Sequence, residues 1–235
     1  MSVKSIYLSR PAIENDLIHV RDDEHRHLAV ARVQSGEAVE VVDGGGNVWD
    51  AVVVGSERRE TVVRVRTRRF VARDPYELIL GLSLIQTSAF ELAIEKAVET
   101  GVHRIVPIVA SRSNLRDARR SDRWQRIIVE ASKQSKRYHI PVLDSVVPFE
   151  KALTIPASSR IMFAERNGGP LRPAVTASPV FYLIGPEGGW TDEELDSSQR
   201  CGFSLVGLGP TILRAETAAI VATGLLRYEL LKARE

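Results

Sequence analysis

The stretch Val180-Phe181-Tyr182-Leu183-Ile184-Gly185-Pro186-Glu187-Gly188-Gly189-Trp190-Thr191-Asp192-Glu193-Glu194 passes through a strand, a loop and a helix start in succession. Residues 180–184 are apolar and aromatic or β-branched, which predicts a short buried strand. Thr191 stands where it caps the free N–H groups of a helix, and Glu194, three residues on, completes a capping box. That helix is predicted to run to about Cys201, where Gly202 takes the left-handed conformation that ends it. Residues 203–208 read as a second strand. Past Gly209-Pro210 a helix is predicted over 216–231, with Ala218, Val221, Ala222, Leu225 and Leu226 on one face. Two strand–loop–helix units in tandem imply a parallel sheet, whose ligands sit in loops beyond the carboxyl ends of the strands.

The two loops are Gly185-Pro186-Glu187-Gly188-Gly189 and Leu208-Gly209-Pro210-Thr211-Ile212-Leu213-Arg214. Neither holds the Gly-Lys-Ser/Thr of a Walker phosphate loop, and no Gly-x-Gly-x-x-Gly follows a strand. Glycine-rich but weakly charged loops suit a nucleoside held by main-chain groups better than a polyphosphate. The alternative is that the glycines only make tight turns.

Leu183-Ile184-Gly185-Pro186-Glu187-Gly188-Gly189, followed by Leu208-Gly209-Pro210 and Ile212-Leu213-Arg214-x-Glu216-Thr217-Ala218, resembles the signature of the RsmE family. Members are 16S ribosomal RNA uridine N3-methyltransferases of the SPOUT superfamily. The resemblance implies an α/β fold. It comprises a C-terminal SPOUT methyltransferase domain with a trefoil knot (a parallel sheet flanked by helices) and a small N-terminal β-rich PUA-like domain. It also implies a homodimer, S-adenosylmethionine as cofactor, and the assembled small ribosomal subunit as substrate. The cofactor would be held by Leu183, Gly185, Pro186, Glu187, Gly188, Leu208, Gly209, Ile212, Leu213, Thr217 and Ala218. Three positions depart from the family pattern: Thr87 follows Gln86 where a lysine is common, Thr211 precedes Ile-Leu-Arg where an arginine is usual, and Trp190 replaces a phenylalanine.

At 235 residues the chain has room for two domains, here placed at 1–72 and 73–235. No run approaches the roughly 20 apolar residues that span a bilayer, and residues 1–5 show no signal-peptide core. Cys201 is the only cysteine, so disulfides within the chain are excluded and the cytoplasm is the expected compartment. His25 and His27 lack the i, i+4 spacing of zinc ligands, and no metal is expected. The net charge of +2 is too small to announce nucleic acid by itself.

In chain order, residues 6–8 read as a strand, and a helix following Asp22-Asp23 is predicted to close at Gly36. Residues 38–42 and 48–54 flank Asp43-Gly44-Gly45-Gly46-Asn47 as a hairpin. Along 61–69, Val63, Val65 and Thr67 are predicted to face one side and Arg64, Arg66 and Arg68 the other. A row of arginines suits an RNA backbone; the alternative is a solvated face partly neutralised by Glu57 and Glu60. Arg73-Asp74-Pro75 reads as a linker. Residues 78–85 are a buried strand, Ser88-Ala89-Phe90-Glu91 a second capping box, and 104–109 a further strand, an α/β beginning. The segment 112–139 is the most basic in the chain. Arg112, Arg116, Arg119 and Arg120 are its candidate phosphate contacts, with a helix from Ser121 turning Trp124, Ile127, Ile128 and Ala131 inward. A strand over 160–164 leads to Glu165-Arg166-Asn167-Gly168-Gly169, a third loop predicted beside the other two, so that Phe163 and Glu165 border the cofactor.

Methylation at uracil N3 requires loss of a weakly acidic proton. The enzyme supplies a base, or stabilises the anion spread over O2 and O4. Arg214 is one candidate stabiliser, as a permanently charged planar donor. Arg137 is another, since the stretch Glu130-Ala131-Ser132-Lys133-Gln134-Ser135-Lys136-Arg137 resembles the family where an arginine lies near the active site. Glu216 or Glu187 could accept the proton; Glu216 could equally serve only the helix start. No covalent step is needed, so Cys201 is read as structural. The competing readings are a methyltransferase of another RNA, such as transfer RNA, and a non-catalytic ribosome-associated protein.

Overall fold

The structure, a computed structural model, describes residues 3–113 and 121–232. The chain divides into two compact units, Met1–Arg73 with Ser132–Ile140, and Asp74–Ala131 with Pro141–Glu235.

In the first unit β1 (Lys4–Tyr7), β2 (Leu17–Val20), β3 (Ala38–Val42), β4 (Asn47–Ser56) and β5 (Thr61–Phe70) form one sheet, ordered β1-β3-β4-β5-β2. α1 (Asp22–Val30) lies between β2 and β3 in sequence. β1 and β3 are parallel, and the other pairs antiparallel. The β3–β4 turn closes on the Asp43 carboxylate, which accepts from the backbone N–H of Gly45 at 2.8 Å and of Asn47 at 3.0 Å. Ile6, Val20, Val41, Trp49 and Val63 form the core beneath. Residues 132–140 are tied to this unit through Glu40. That buried carboxylate accepts from Lys136 Nζ at 2.9 Å, Arg69 Nη2 at 2.7 Å, Ser5 Oγ at 3.1 Å and the Tyr138 hydroxyl at 3.2 Å.

Two expectations fail here, and one strand, β2, was not anticipated. α1 ends at Val30, capped by Ala31, because Arg32 takes a left-handed φ of 52°. Gly36 belongs to the next turn, where its N–H bonds to Val53 O at 2.9 Å. β2 has no counterpart in the local pattern. The strict alternation of β5 is also broken. Val65 stands opposite Ala51 but Thr67 opposite Asp50, so Arg66 is the extra residue of a β-bulge. Thr67 consequently leaves the core face and donates to Asp50 Oδ2 at 2.7 Å. Arg64 and Arg68 fall on opposite faces. The Arg68 guanidinium lies 5.5 Å over the Trp49 ring, and its Nη2 donates to Asn47 Oδ1 at 3.0 Å.

The second unit contains β6 (Leu78–Ser83), α2 (Thr87–Thr100) and β7 (Arg104–Val109), then most of α3 (Ser121–Gln134). There follow β8 (Val142–Leu143), β9 (Val147–Pro148), α4 (Phe149–Ala152), β10 (Ser159–Phe163), β11 (Val180–Ile184), α5 (Asp192–Arg200), β12 (Ser204–Val206) and α6 (Ala215–Lys232). The seven strands form one parallel sheet, ordered β12-β10-β11-β6-β7-β8, with β9 also beside β7. β6 and β11 are buried along their whole length, as strands covered on both faces must be.

The capping box of α5 forms as its residues require. Thr191 Oγ1 accepts from Glu194 N at 3.2 Å, and Glu194 Oε2 accepts from Thr191 N at 2.9 Å. Gly202, at φ 82°, follows the helix end. The second box does not form: α2 begins at Thr87 with Gln86 as its N-cap. Glu91 is drawn instead to Arg123, which donates to it from Nε at 2.6 Å and Nη2 at 2.8 Å. In α6 the buried face is Ala215, Ala219, Ala222, Thr223, Leu226 and Leu230, while Val221 and Leu225 are exposed. The buried Tyr182 hydroxyl, whose pKa is raised by burial, lies 2.6 Å from Thr223 Oγ1 and pins α6 to β11.

β12 is bordered on both sides by one segment of chain. On the β10 side Ala164 N donates to Val206 O at 3.0 Å. On the other, Gly169 N donates to Leu205 O at 2.9 Å and Gly207 N to Gly169 O at 3.1 Å. The chain leaving β10 therefore passes round the end of β12 before it turns back towards β11. A Cβ on Gly168 would lie 2.3 Å from Gly207 N, so only glycine permits this crossing.

Candidate active site

Beyond the carboxyl ends of β10, β11 and β12, three loops surround a cavity of about 810 Å³. Phe163, Ala164, Glu165 and Arg166 form one wall. The loop 185–190 forms the second, and 208–214 with the first turn of α6 the third. The Gln86 and Ala89 end of α2 closes one side.

Each wall has a local cause. The indole of Trp190 is buried, donates from Nε1 to Phe163 O at 2.9 Å, and packs under Gly185. A Cβ on Gly185 would lie 2.9 Å from that ring. The backbone N–H of Gln86 donates to Glu187 Oε1 at 3.0 Å. Among the described residues, no main-chain group from 208 to 213 bonds to another main-chain group. Gly209 has a φ of 114°, a conformation that favours glycine. Glu193, at the start of α5, is held below the usual carboxylate range by its own backbone N–H and the Thr191 hydroxyl, with Arg112 adding to the effect.

Of the residues assigned to the cofactor, Phe163, Gly185, Pro186, Glu187, Gly188, Leu208, Gly209, Ile212, Leu213 and Ala218 line the cavity. Leu183 does not; it is fully buried within β11. Thr217 is exposed on α6 and is not part of the wall. Arg214 and Glu216 line the cavity together, Glu216 in the first turn of α6. Arg137 belongs to the first unit, where its backbone N–H bonds to Ser132 O at 2.9 Å, and it is not among the lining residues. Arg64 and Arg66 are exposed on β5. Arg116, Arg119 and Arg120 lie outside the described residues. Arg112, read from sequence as a phosphate contact, lines the cavity, and its Nη1 donates to Gly188 O at 2.7 Å. Gln86, Ala89 and Arg166 line the cavity without having been singled out for it; their placement depends on which strands neighbour one another.

A family model of the RNA methyltransferase domain matches residues 72–227, and one of the RNA methyltransferase PUA domain matches residues 20–65. Ribosomal RNA small subunit methyltransferase E of Mycobacterium bovis is 32% identical over 221 residues, 87% of this chain and 84% of its own. The chain belongs to the RsmE family. The Synechocystis member is likewise 32% identical, over 84% of this chain and 68% of its own. The RsmE structure from Neisseria gonorrhoeae, solved bound to S-adenosylmethionine, is 27% identical; it superposes with a TM-score of 0.90 over 97% of this chain and 98% of its own.

Proposed function

We propose that this protein transfers a methyl group from S-adenosylmethionine to N3 of a uridine in 16S ribosomal RNA of the assembled small subunit. The observation that carries the reading is the cleft itself. Its glycine loops bring main chain close to any ligand. The walls combine apolar Phe163, Leu208, Leu213 and Ala218 with unpaired backbone groups from 208 to 213. A nucleoside that bears a sulfonium and an amino-acid arm, with no phosphates, fits such a surface, whereas a polyphosphate would require more cations and a phosphate-binding loop. The cofactor bound to the Neisseria gonorrhoeae relative supports the same choice.

When bound, the cofactor supplies an electrophilic methyl group on a sulfonium. The remaining work falls to this chain. Arg214, exposed at the cleft, donates planar hydrogen bonds to the uracil oxygens and so stabilises negative charge left when N3 loses its proton. Glu216, beside it on the same wall, accepts that proton directly or through water. Residues 73–235, apart from 132–140, which belong to the first unit, serve as the methyltransferase domain. Residues 1–72 serve as a PUA-like RNA-binding domain, with Arg64 and Arg66 its free-facing cations.

Passage of the chain around β12, with Gly168 against Gly207, supports a trefoil knot in the catalytic domain. Val221, Leu225 and Tyr228 recur at helical spacing on the exposed face of α6, which supports a homodimer. Among the described residues no helix is long and apolar enough to cross a membrane, and cytoplasmic ribosomal subunits are the proposed partner. The test is calorimetry with S-adenosylmethionine alongside transfer assays on small subunits. Arg214→Ala is expected to bind cofactor normally and lose transfer by a hundredfold or more, on the order found for removal of one transition-state donor. Full turnover by the variant contradicts the assignment.

A further inference from the structure

The loop 185–190 has little structure of its own. Its one internal main-chain bond is Gly189 N to Pro186 O at 2.9 Å. What holds it comes from elsewhere in the second unit. On one side stands the Gln86 N–H on Glu187 Oε1, and on the other the turn that follows β7. That turn is closed by Ser113, whose N–H donates to Ala110 O at 3.0 Å and whose buried hydroxyl accepts from Ala110 N at 3.0 Å. Ser111 N donates to Glu194 Oε1 at 2.8 Å, which locks the turn to the capping box of α5. From this anchored base Arg112 reaches back. Its Nη1 lies 2.7 Å from Gly188 O and 3.5 Å from Trp190 O. Its aliphatic stem packs where a Cβ of Gly188 would lie, at 3.2 Å from Cδ and 3.3 Å from Cβ.

From this geometry we infer that Arg112 is a positioning residue for the cofactor loop. It fixes the Gly188–Trp190 main chain, and Gly188 is the residue whose missing side chain admits it. The arginine was assigned to RNA phosphate on the strength of the basic run around it. Its observed partners are carbonyls of the loop, and a guanidinium is suited to hold two carbonyls at once. Its action is indirect, since it sets where the loop's exposed groups stand in the cleft. This role rests on the cofactor reading proposed above.

The experiment pairs two measurements on Arg112→Ala and Arg112→Lys. The first is steady-state methyl transfer to small subunits with each substrate varied. Arg112→Ala is expected to raise KM for S-adenosylmethionine about tenfold or more, the loss of one charge-assisted hydrogen bond, with KM for the subunit unchanged. Lysine, a single compact donor, restores only part. The second is hydrogen exchange of the cofactor-free protein. Amides of residues 185–190 are expected to exchange faster in Arg112→Ala, while those of β6 and β11 keep their protection. A rise in KM for the subunit alone would return Arg112 to RNA contact and overturn the inference. So would unchanged exchange at residues 185–190. The exchange measurement needs no cofactor, so failure of the wild-type protein to bind S-adenosylmethionine would refute the functional reading and still leave this inference decided.

Discussion

Replacing Gly168 by alanine tests the crossing beneath the cleft. The added Cβ would sit 2.3 Å from Gly207 N, 2.6 Å from Gly207 Cα and 2.7 Å from Val206 C. All three are main chain, so no side chain can rotate away. Ordinary contact begins at 3.4 Å, so the two segments must part by about 1.1 Å, the difference between 3.4 and 2.3 Å. The bonds that span this gap, Gly169 N to Leu205 O at 2.9 Å and Gly207 N to Gly169 O at 3.1 Å, do not survive such a shift. Each contributes ~0.5–1.5 kcal/mol net, and overpacking strain adds ~1–3 kcal/mol. The expected loss is therefore ~2–6 kcal/mol, a large part of the stability of a typical domain. It is read as a fall in the urea midpoint at unchanged slope. Gly207 runs directly into the 208–213 wall, so residual folded protein should also bind S-adenosylmethionine at least tenfold more weakly. Gly169→Ala is the control: its Cβ would meet nothing closer than Leu205 O at 3.6 Å, and its midpoint should stay close to wild type. A Gly168→Ala protein with wild-type midpoint and affinity would show that the two segments are not in close contact at this crossing.

Other perturbations follow from the same geometry. Gly188→Val places a branched side chain against the Arg112 stem, and calorimetry should show loss of cofactor binding with the melting transition retained; normal affinity would contradict the placement. For Glu40, burial raises the carboxyl pKa, but hydrogen bonds from Lys136, Ser5 and Tyr138 outweigh it and hold the carboxyl below its ordinary value. The lowered folded pKa means this contribution is present above the unfolded value of 4.5 and lost as pH falls through the folded one. Glu40→Gln should flatten the acid limb of the stability profile and cost about 1–3 kcal/mol at neutral pH; Lys136 and Arg69 are partly exposed and can resolvate, which favours the lower end. An unaltered acid limb would sink the assignment. Tyr182→Phe removes the hydroxyl that meets Thr223 and should destabilise the protein by about 1–2 kcal/mol without changing the KM for cofactor, as read by melting and kinetics together.

What could be read from the chain alone was local. β11, the Thr191–Glu194 capping box and the Gly202 stop are each written in neighbouring residues, and the structure forms all three. The failures are non-local. The alternation of 61–69 is genuine in sequence, but the register of β5 is set by β4, and a bulge at Arg66 turns Thr67 and Arg68 over. Ser88 and Glu91 have the spacing of a capping box, yet Arg123, 32 residues on, claims the glutamate. Residues 132–140 join the β-rich unit through Glu40, a partner about a hundred residues earlier. In the cleft the glycine loops were legible because main-chain sites need glycine. The contact of Arg112 with Gly188 was not legible because it spans 76 residues, and charge pattern carries no information at that distance.

The cleft is proposed to hold S-adenosylmethionine for methylation of uridine N3 in 16S ribosomal RNA. The most direct measurement is transfer of labelled methyl to small subunits that lack the modification, with the product nucleoside resolved by mass spectrometry. Label is expected in assembled subunits, at N3 of one uridine, and is abolished by Arg214→Ala. Label at another position, or in transfer RNA in place of subunits, would contradict it.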